Sequence, residues 1–215
     1  MKTILLKDAV ALIPDGASVM IGGFMGVGTP ERLVDELVRQ GKRNLTVIAN
    51  DNALPGIGIG KLISAGAVKK TIASHIGLNP ETQKKMLAGE LEVDLVPQGT
   101  LIERIRAGGF GLGGVLTPTG VGTLVEKGKT RIEVEGKPYL IETALRADFA
   151  LVQAFLADYV GNLYYALTAR NFNPVMAMAA DTVIVDAENI VPVGVISPDQ
   201  VVTPAPVVDY IISHA

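Results

Sequence analysis

The chain has 215 residues, 48% of them hydrophobic and 19% charged, with a formal net charge of −3. It is apolar enough for a large buried core, which argues against disorder, and too weakly charged to point to nucleic acid or an anionic membrane surface. With no cysteine, disulfides, thiolate zinc sites and a cysteine nucleophile are all excluded.

The first ten residues carry Lys2, Lys7 and Asp8 and no long apolar stretch, so they do not read as a signal peptide. Later apolar runs are broken by Gly, Pro or charge short of membrane-spanning length, and the expectation is a cytoplasmic protein without membrane contact. Ser18–Ile21 is a short apolar run ending at Gly22-Gly23 and reads as a buried strand. Thr29-Pro30 supplies an N-cap and a proline at the first helical position, the stripe Leu33, Val34, Leu37, Val38 follows, and Gly41 stops the helix. Leu45–Ala49 and Val68–Ser74 read as strands, Pro80–Ala88 as a polar surface helix, Leu91–Val96 as a strand and Leu101–Arg106 as a short helix. Such alternation is the signature of a parallel sheet with helices on its faces.

The pattern changes after Gly108. Arg131–Val134 and Tyr139–Glu142 flank Glu135-Gly136 as a hairpin. Phe149–Leu156 and Leu163–Tyr165 flank a turn-rich link, Pro174–Ala180 reads as a short helix, Thr182–Asp186 as a strand and Pro206–Ile212 as a closing helix. With no linker, low-complexity segment or repeat, the expectation is one α/β domain over residues 1–215, with an open, mixed, largely parallel sheet.

Glycine is abundant, at 24, and clustered at 22–28, 56–60, 108–114 and 120–122. Clusters of this kind serve either ordinary tight turns or a site built largely from backbone. The first cluster joins a strand to a helix start, where unpaired N–H groups and the helix dipole favour an anion, at the strand end where α/β proteins bind ligands. From Gly23 to Gly28 the spacing approaches a P-loop, but Thr29-Pro30 replaces the Lys-Ser/Thr pair that metal–nucleotide chemistry needs. Gly109, Gly111 and Gly114 have dinucleotide-fingerprint spacing, but they follow a helix and precede Thr117-Pro118, so that match is accidental.

The stretch from Asp15 to Pro30 meets every position of a longer pattern: an acid or Asn, Gly, two residues, three apolar residues, Gly-Gly-Phe, three residues, Gly, any residue, Pro. In this it resembles the first subunit of class I CoA-transferases. Ile48-Ala49-Asn50-Asp51, Ala73-Ser74-His75-Ile76-Gly77, Val96-Pro97-Gln98-Gly99-Thr100-Leu101, Leu116–Thr123 and Ala169-Arg170-Asn171-Phe172-Asn173-Pro174 resemble further blocks of that family. The likeness is greatest to alpha subunits acting on acetate, acetoacetate or butyrate.

The resemblance implies an enzyme that moves CoA from an acyl-CoA to a free carboxylate by a ping-pong route through a glutamyl-CoA thioester, with no permanently bound cofactor and no metal. It implies a beta subunit of similar size, carrying the nucleophilic glutamate in a Ser-Glu-Asn-Gly-type motif, and an α2β2 tetramer. The nearest segment here, Ala187-Glu188-Asn189-Ile190, lacks the glycine, so Glu188 is expected to be a surface or turn carboxylate. Gln98 matches the family glutamine whose amide helps form an oxyanion hole. Gly22, Gly23, Phe24, Met25, Gly26, Val27 and Gly28 match the CoA-contacting stretch, with Phe24 either packing on the acyl or pantetheine part or serving as a core aromatic.

Asn50 and Asp51 are candidates for polar contacts to CoA or substrate, or for a capping pair in a turn. His75 reads as a structural histidine. Arg104, Arg106, Arg146 and Arg170 are either surface residues or contacts to CoA phosphates or the partner chain. Two other functions remain open on the residues alone: an acyl-CoA-sensing binding domain, and a sugar-phosphate isomerase or deaminase on a related scaffold. The second needs ionisable groups that Gly22–Thr29 does not supply.

Overall fold

The computed structural model describes residues 2–213. In chain order its elements are β1 (Lys2–Ile4), α1 (Leu6–Ala11), β2 (Ser18–Ile21), α2 (Glu31–Arg39), β3 (Leu45–Asp51), α3 (Ile59–Ser64), β4 (Val68–His75), α4 (Pro80–Leu87), β5 (Glu92–Leu95) and α5 (Gln98–Gly109). There follow β6 (Gly114–Thr117), β7 (Arg131–Val134), β8 (Lys137–Thr143), β9 (Ala147–Asp158), β10 (Leu163–Tyr164), α6 (Asn173–Met178), β11 (Ala180–Val191) and β12 (Tyr210–Ile212).

The main sheet runs β1-β12-β11-β9-β2-β3-β4-β5, parallel throughout, with β10 added antiparallel to β9. Side-chain alternation along the strands divides the core into two layers. Val19, Ile21, Val47, Ala49, Leu151 and Ile184 point to one face and are covered by α1, α2 and α3 through Val10, Leu33, Leu37 and Leu62. Met20, Ile48, Ala150, Val152, Val183 and Val185 point to the other and are covered by α5 and α6 through Leu101, Ile105 and Met176. The fold is the expected open, largely parallel α/β sheet between helical layers.

The hairpin forms as read, with Glu135 and Gly136 at φ 52° and 73° in a tight turn, and β6 joins it to make a separate three-stranded antiparallel sheet. Three expectations are corrected. The segment read as a closing helix, Pro206–Ile212, instead makes one short turn at Ala205–Val207 and then strand β12, inserted between β1 and β11. Two prolines and a β-branched run favour the extended chain there, and parallel neighbours from both chain ends hold it. Pro30 is the N-cap residue of α2 rather than its first helical residue, and no side chain caps that helix. Helix α5 begins at Gln98, three residues before the expected start at Leu101.

Candidate functional site

Strands β2, β3, β4 and β5 are consecutive in the chain and adjacent in the sheet, so their carboxyl ends stand in a row. The glycine loop leaves β2, Asn50 and Asp51 end β3, His75 ends β4, and Gln98 opens the helix after β5. A cavity of about 400 Å³ lies along that row. Phe24 and Met25 line it from the loop, Asn50 and Asp51 from β3, Ser74 and His75 from β4, and Leu78 and Gln98 close it.

One hydrogen-bonded chain runs across the cavity floor. Gln98 Nε2 donates to Asn50 Oδ1 at 2.6 Å, and Asn50 Nδ2 donates to Asp51 Oδ2 at 2.7 Å. The Asp51 carboxylate also accepts from the main-chain N–H of Met25, at 3.0 Å to Oδ2, and of Ala53, at 2.7 Å to Oδ1. Ser74 Oγ donates to the Asn50 carbonyl at 2.7 Å. Asn50 and Asp51 are buried, at 1% and 5% exposure, whereas Gln98 is exposed. The second Nε2–H of Gln98 has no acceptor among the described residues. Phe24 is 45% exposed, which rules out the core-aromatic alternative.

The structure thus brings Phe24, Met25, Asn50, Asp51 and Gln98 together and leaves Gly22, Gly23, Gly26, Val27 and Gly28 off the cavity wall. It also limits the expected cradle of bare amides. The N–H groups of Gly22, Gly23, Phe24, Met25 and Val27 are bound to Leu151 O, Asn171 Oδ1, Val27 O, Asp51 and Phe24 O respectively. Only Gly26 and Gly28 keep N–H groups without a protein acceptor among the described residues.

The loop's glycines mainly admit another part of the chain. A Cβ on Gly22 would lie 1.8 Å from Asn173 Oδ1, and one on Gly28, at φ +77°, 2.5 Å from the Ala169 carbonyl. Asn173, fully buried, donates to Gly28 O and Ala169 O and accepts from Gln153 N. Asn171 accepts from Gly23 N and donates to Val27 O. These two asparagines, to which the sequence reading gave no role, fasten the loop. Two asparagines ahead of Pro174, beside a glycine-rich partner, were the available signal.

Glu188 is a surface carboxylate as expected, on β11 rather than in a turn; it accepts from Gln153 Nε2 at 2.5 Å and lines a separate cavity beside Arg32 and Asp186. No glutamate lines the Gln98 cavity. Of the four arginines, Arg104 donates to Thr143 O, Arg106 to Glu103, and Arg146 to Gly108 O and Asp181, while Arg170 lines another cavity with Arg106 and Phe110. Among the described residues no three His, Cys, Asp or Glu converge as a metal site, and no helix is long and apolar enough to cross a membrane.

Comparison with known proteins gives a consistent result. The model of the family described as coenzyme A transferase matches residues 3–214. The chain is 56% identical to the acetate CoA-transferase subunit alpha of Escherichia coli K12, over 98% of this chain and 96% of that one. It is 53% identical to the acetoacetyl-CoA:acetate/butyrate CoA transferase alpha subunit of Clostridium acetobutylicum, over 99% and 98%. Among solved structures it is similar in fold to an acyl-CoA transferase from E. coli O157:H7 in a thioester complex with CoA, with TM-score 0.86 and 24% identity. That match covers 98% of this chain but only 46% of the larger one.

Proposed function

The chain belongs to the coenzyme A transferase family, and from that premise we propose that it is the alpha subunit of a cytoplasmic short-chain acid CoA-transferase acting on acetate, acetoacetate or butyrate. It works with a beta subunit of similar size in an α2β2 assembly. The observation that carries this reading is a cavity at the carboxyl ends of four parallel strands that holds a glutamine donor and no glutamate.

A carboxylate that attacks a thioester carbonyl forms a C–O bond and a tetrahedral oxyanion. Collapse breaks the C–S bond and gives an acyl anhydride and the CoA thiolate. The thiolate then attacks the enzyme's acyl carbon and releases the first acid, leaving enzyme-bound CoA thioester for the second acid. Thioester is exchanged for thioester, so no ATP is consumed. The beta subunit supplies the glutamate.

This chain supplies the opposite wall. Gln98 offers the spare N–H to the oxyanion, a neutral donor placed where charge develops. Phe24, Met25 and Leu78 give the cavity apolar surface for a short acyl chain, and among its lining residues the carboxylate is that of Asp51. The Asp51 carboxylate is turned toward protein donors, the Asn50 amide and the main-chain N–H groups of Met25 and Ala53.

Purified alone, the chain is expected to show no transferase activity, and mixing with its beta partner is expected to restore it. Full activity without the partner would overturn the division of labour.

A further inference from the structure

We infer that Asp51 is a positioning residue that sets which end of the Gln98 amide faces the reaction, acting through Asn50. The inference rests on the assignment of Gln98 as the oxyanion donor and extends it to a side chain that does not donate to the oxyanion itself.

A primary amide is nearly symmetric in shape. Its nitrogen only donates and its oxygen only accepts, so packing barely distinguishes the two orientations and hydrogen-bond partners decide. Gln98 has one side-chain partner, Asn50, which is another amide with the same ambiguity. Two amides in contact can satisfy each other in either sense. Something outside the pair must break the tie.

Asp51 does so. An ionised carboxylate is acceptor-only, so Asn50 must turn its Nδ2 toward Asp51 Oδ2, 2.7 Å away. That leaves Asn50 Oδ1 facing outward, and Gln98 must present Nε2 to it, at 2.6 Å. Asp51 is itself held by donors that cannot reverse, the main-chain N–H groups of Met25 and Ala53. Ala53 sits at φ +49°, a backbone conformation unusual for alanine, and its N–H reaches Asp51 Oδ1 at 2.7 Å. The polarity of the line is thus fixed at the backbone and passed outward through three side chains.

This also accounts for a buried acid beside a centre that develops negative charge. The carboxylate is 5% exposed, and every hydrogen bond it makes is accepted from an N–H group. In this role it acts on the reaction through Asn50 and Gln98, alongside the polar-contact and turn-capping roles left open by the sequence.

The test uses the assembled enzyme. kcat and KM for acyl-CoA are measured for Asp51→Asn, Gln98→Ala and the double variant. Asparagine at 51 can offer an N–H toward Asn50, which removes the tie-break while keeping size. Asp51→Asn is expected to lower kcat about tenfold with KM within roughly twofold, and to lower it no further in the Gln98→Ala background. Should Asp51→Asn fail to assemble, Asn50→Leu cuts the same line while leaving the Met25 and Ala53 anchors intact, and the same pattern is expected of it. An equal loss of kcat in the Gln98→Ala background, or an unchanged kcat in the single variant, overturns the positioning role. If Gln98→Ala alone retains wild-type kcat, the oxyanion assignment falls as well, so the two failures are told apart.

Discussion

Gln98 and Phe24 make different demands on the same cavity. Gln98 is exposed, carries one internal bond and has one N–H to spare, so its truncation removes a donor without opening the core. Gln98→Ala is expected to lower kcat of the assembled enzyme roughly a hundredfold, consistent with loss of about 3 kcal/mol of transition-state stabilisation, with little change in thermal stability. An unchanged kcat would remove it from the mechanism. Phe24 stands 45% exposed at the cavity. Phe24→Ala should leave the melting temperature nearly unchanged and raise KM for acyl-CoA roughly tenfold through lost apolar contact. A large fall in melting temperature at constant KM would mean that the ring serves packing instead.

At the scale of elements, polar side chains hold both the glycine loop, where Asn173 acts with Asn171 and Asp51, and the turn after β9, where Asp158 acts. Asn173→Ala would orphan Gln153 N, Gly28 O and Ala169 O at once. A loss of about 3 kcal/mol or more in the assembled enzyme is expected, read as a lowered denaturation midpoint. Asp158 is 2% exposed. Burial pushes its carboxyl upward, but the Asn162 side chain and the main-chain N–H groups of Asn162, Gly161 and Val160 outweigh this and hold it below the ordinary 3.8. A carboxyl depressed on folding stabilises fully above its unfolded value and loses that contribution as pH falls through the folded one. Asp158→Asn should therefore be less stable than wild type at neutral pH, and the gap in melting temperature should narrow on acidification below about pH 4. A gap independent of pH would contradict this.

Legibility in the sequence also divides by element. Strands β2 to β5, with the helices between them, are continuous in the chain. The strands' apolar runs, the stripe of α2 and the hairpin turn at Glu135-Gly136 were readable locally, as was the placing of Asn50 and Asp51 at the end of β3 and of Gln98 just after β5, whereas α3, a short helix in a glycine-rich stretch, was not. Strand β12 was not, because its partners are the first strand of the chain and β11. The loop was half legible. Its glycines announced a close approach, but the visitor is the segment around Asn171 and Asn173, roughly 145 residues away in sequence, and local spacing carries no record of it.

Across the whole molecule, the sheet is wound outward from β2 and β9, which are neighbours in space and far apart in the chain. One half of the winding delivers the strand ends of the Gln98 cavity, and the other delivers β9 and β11 with Glu188 on a different cavity. Glu188 thus lines a different cavity from the glutamine donor, in keeping with the proposal that a second polypeptide brings the carboxylate. The most direct measurement is the intact mass of both chains after the assembled enzyme is incubated with acyl-CoA and the acid product removed. The account predicts that CoA is added to the beta subunit and that this chain keeps its mass. A CoA adduct on this chain, at Glu188 or any other carboxylate, would contradict it.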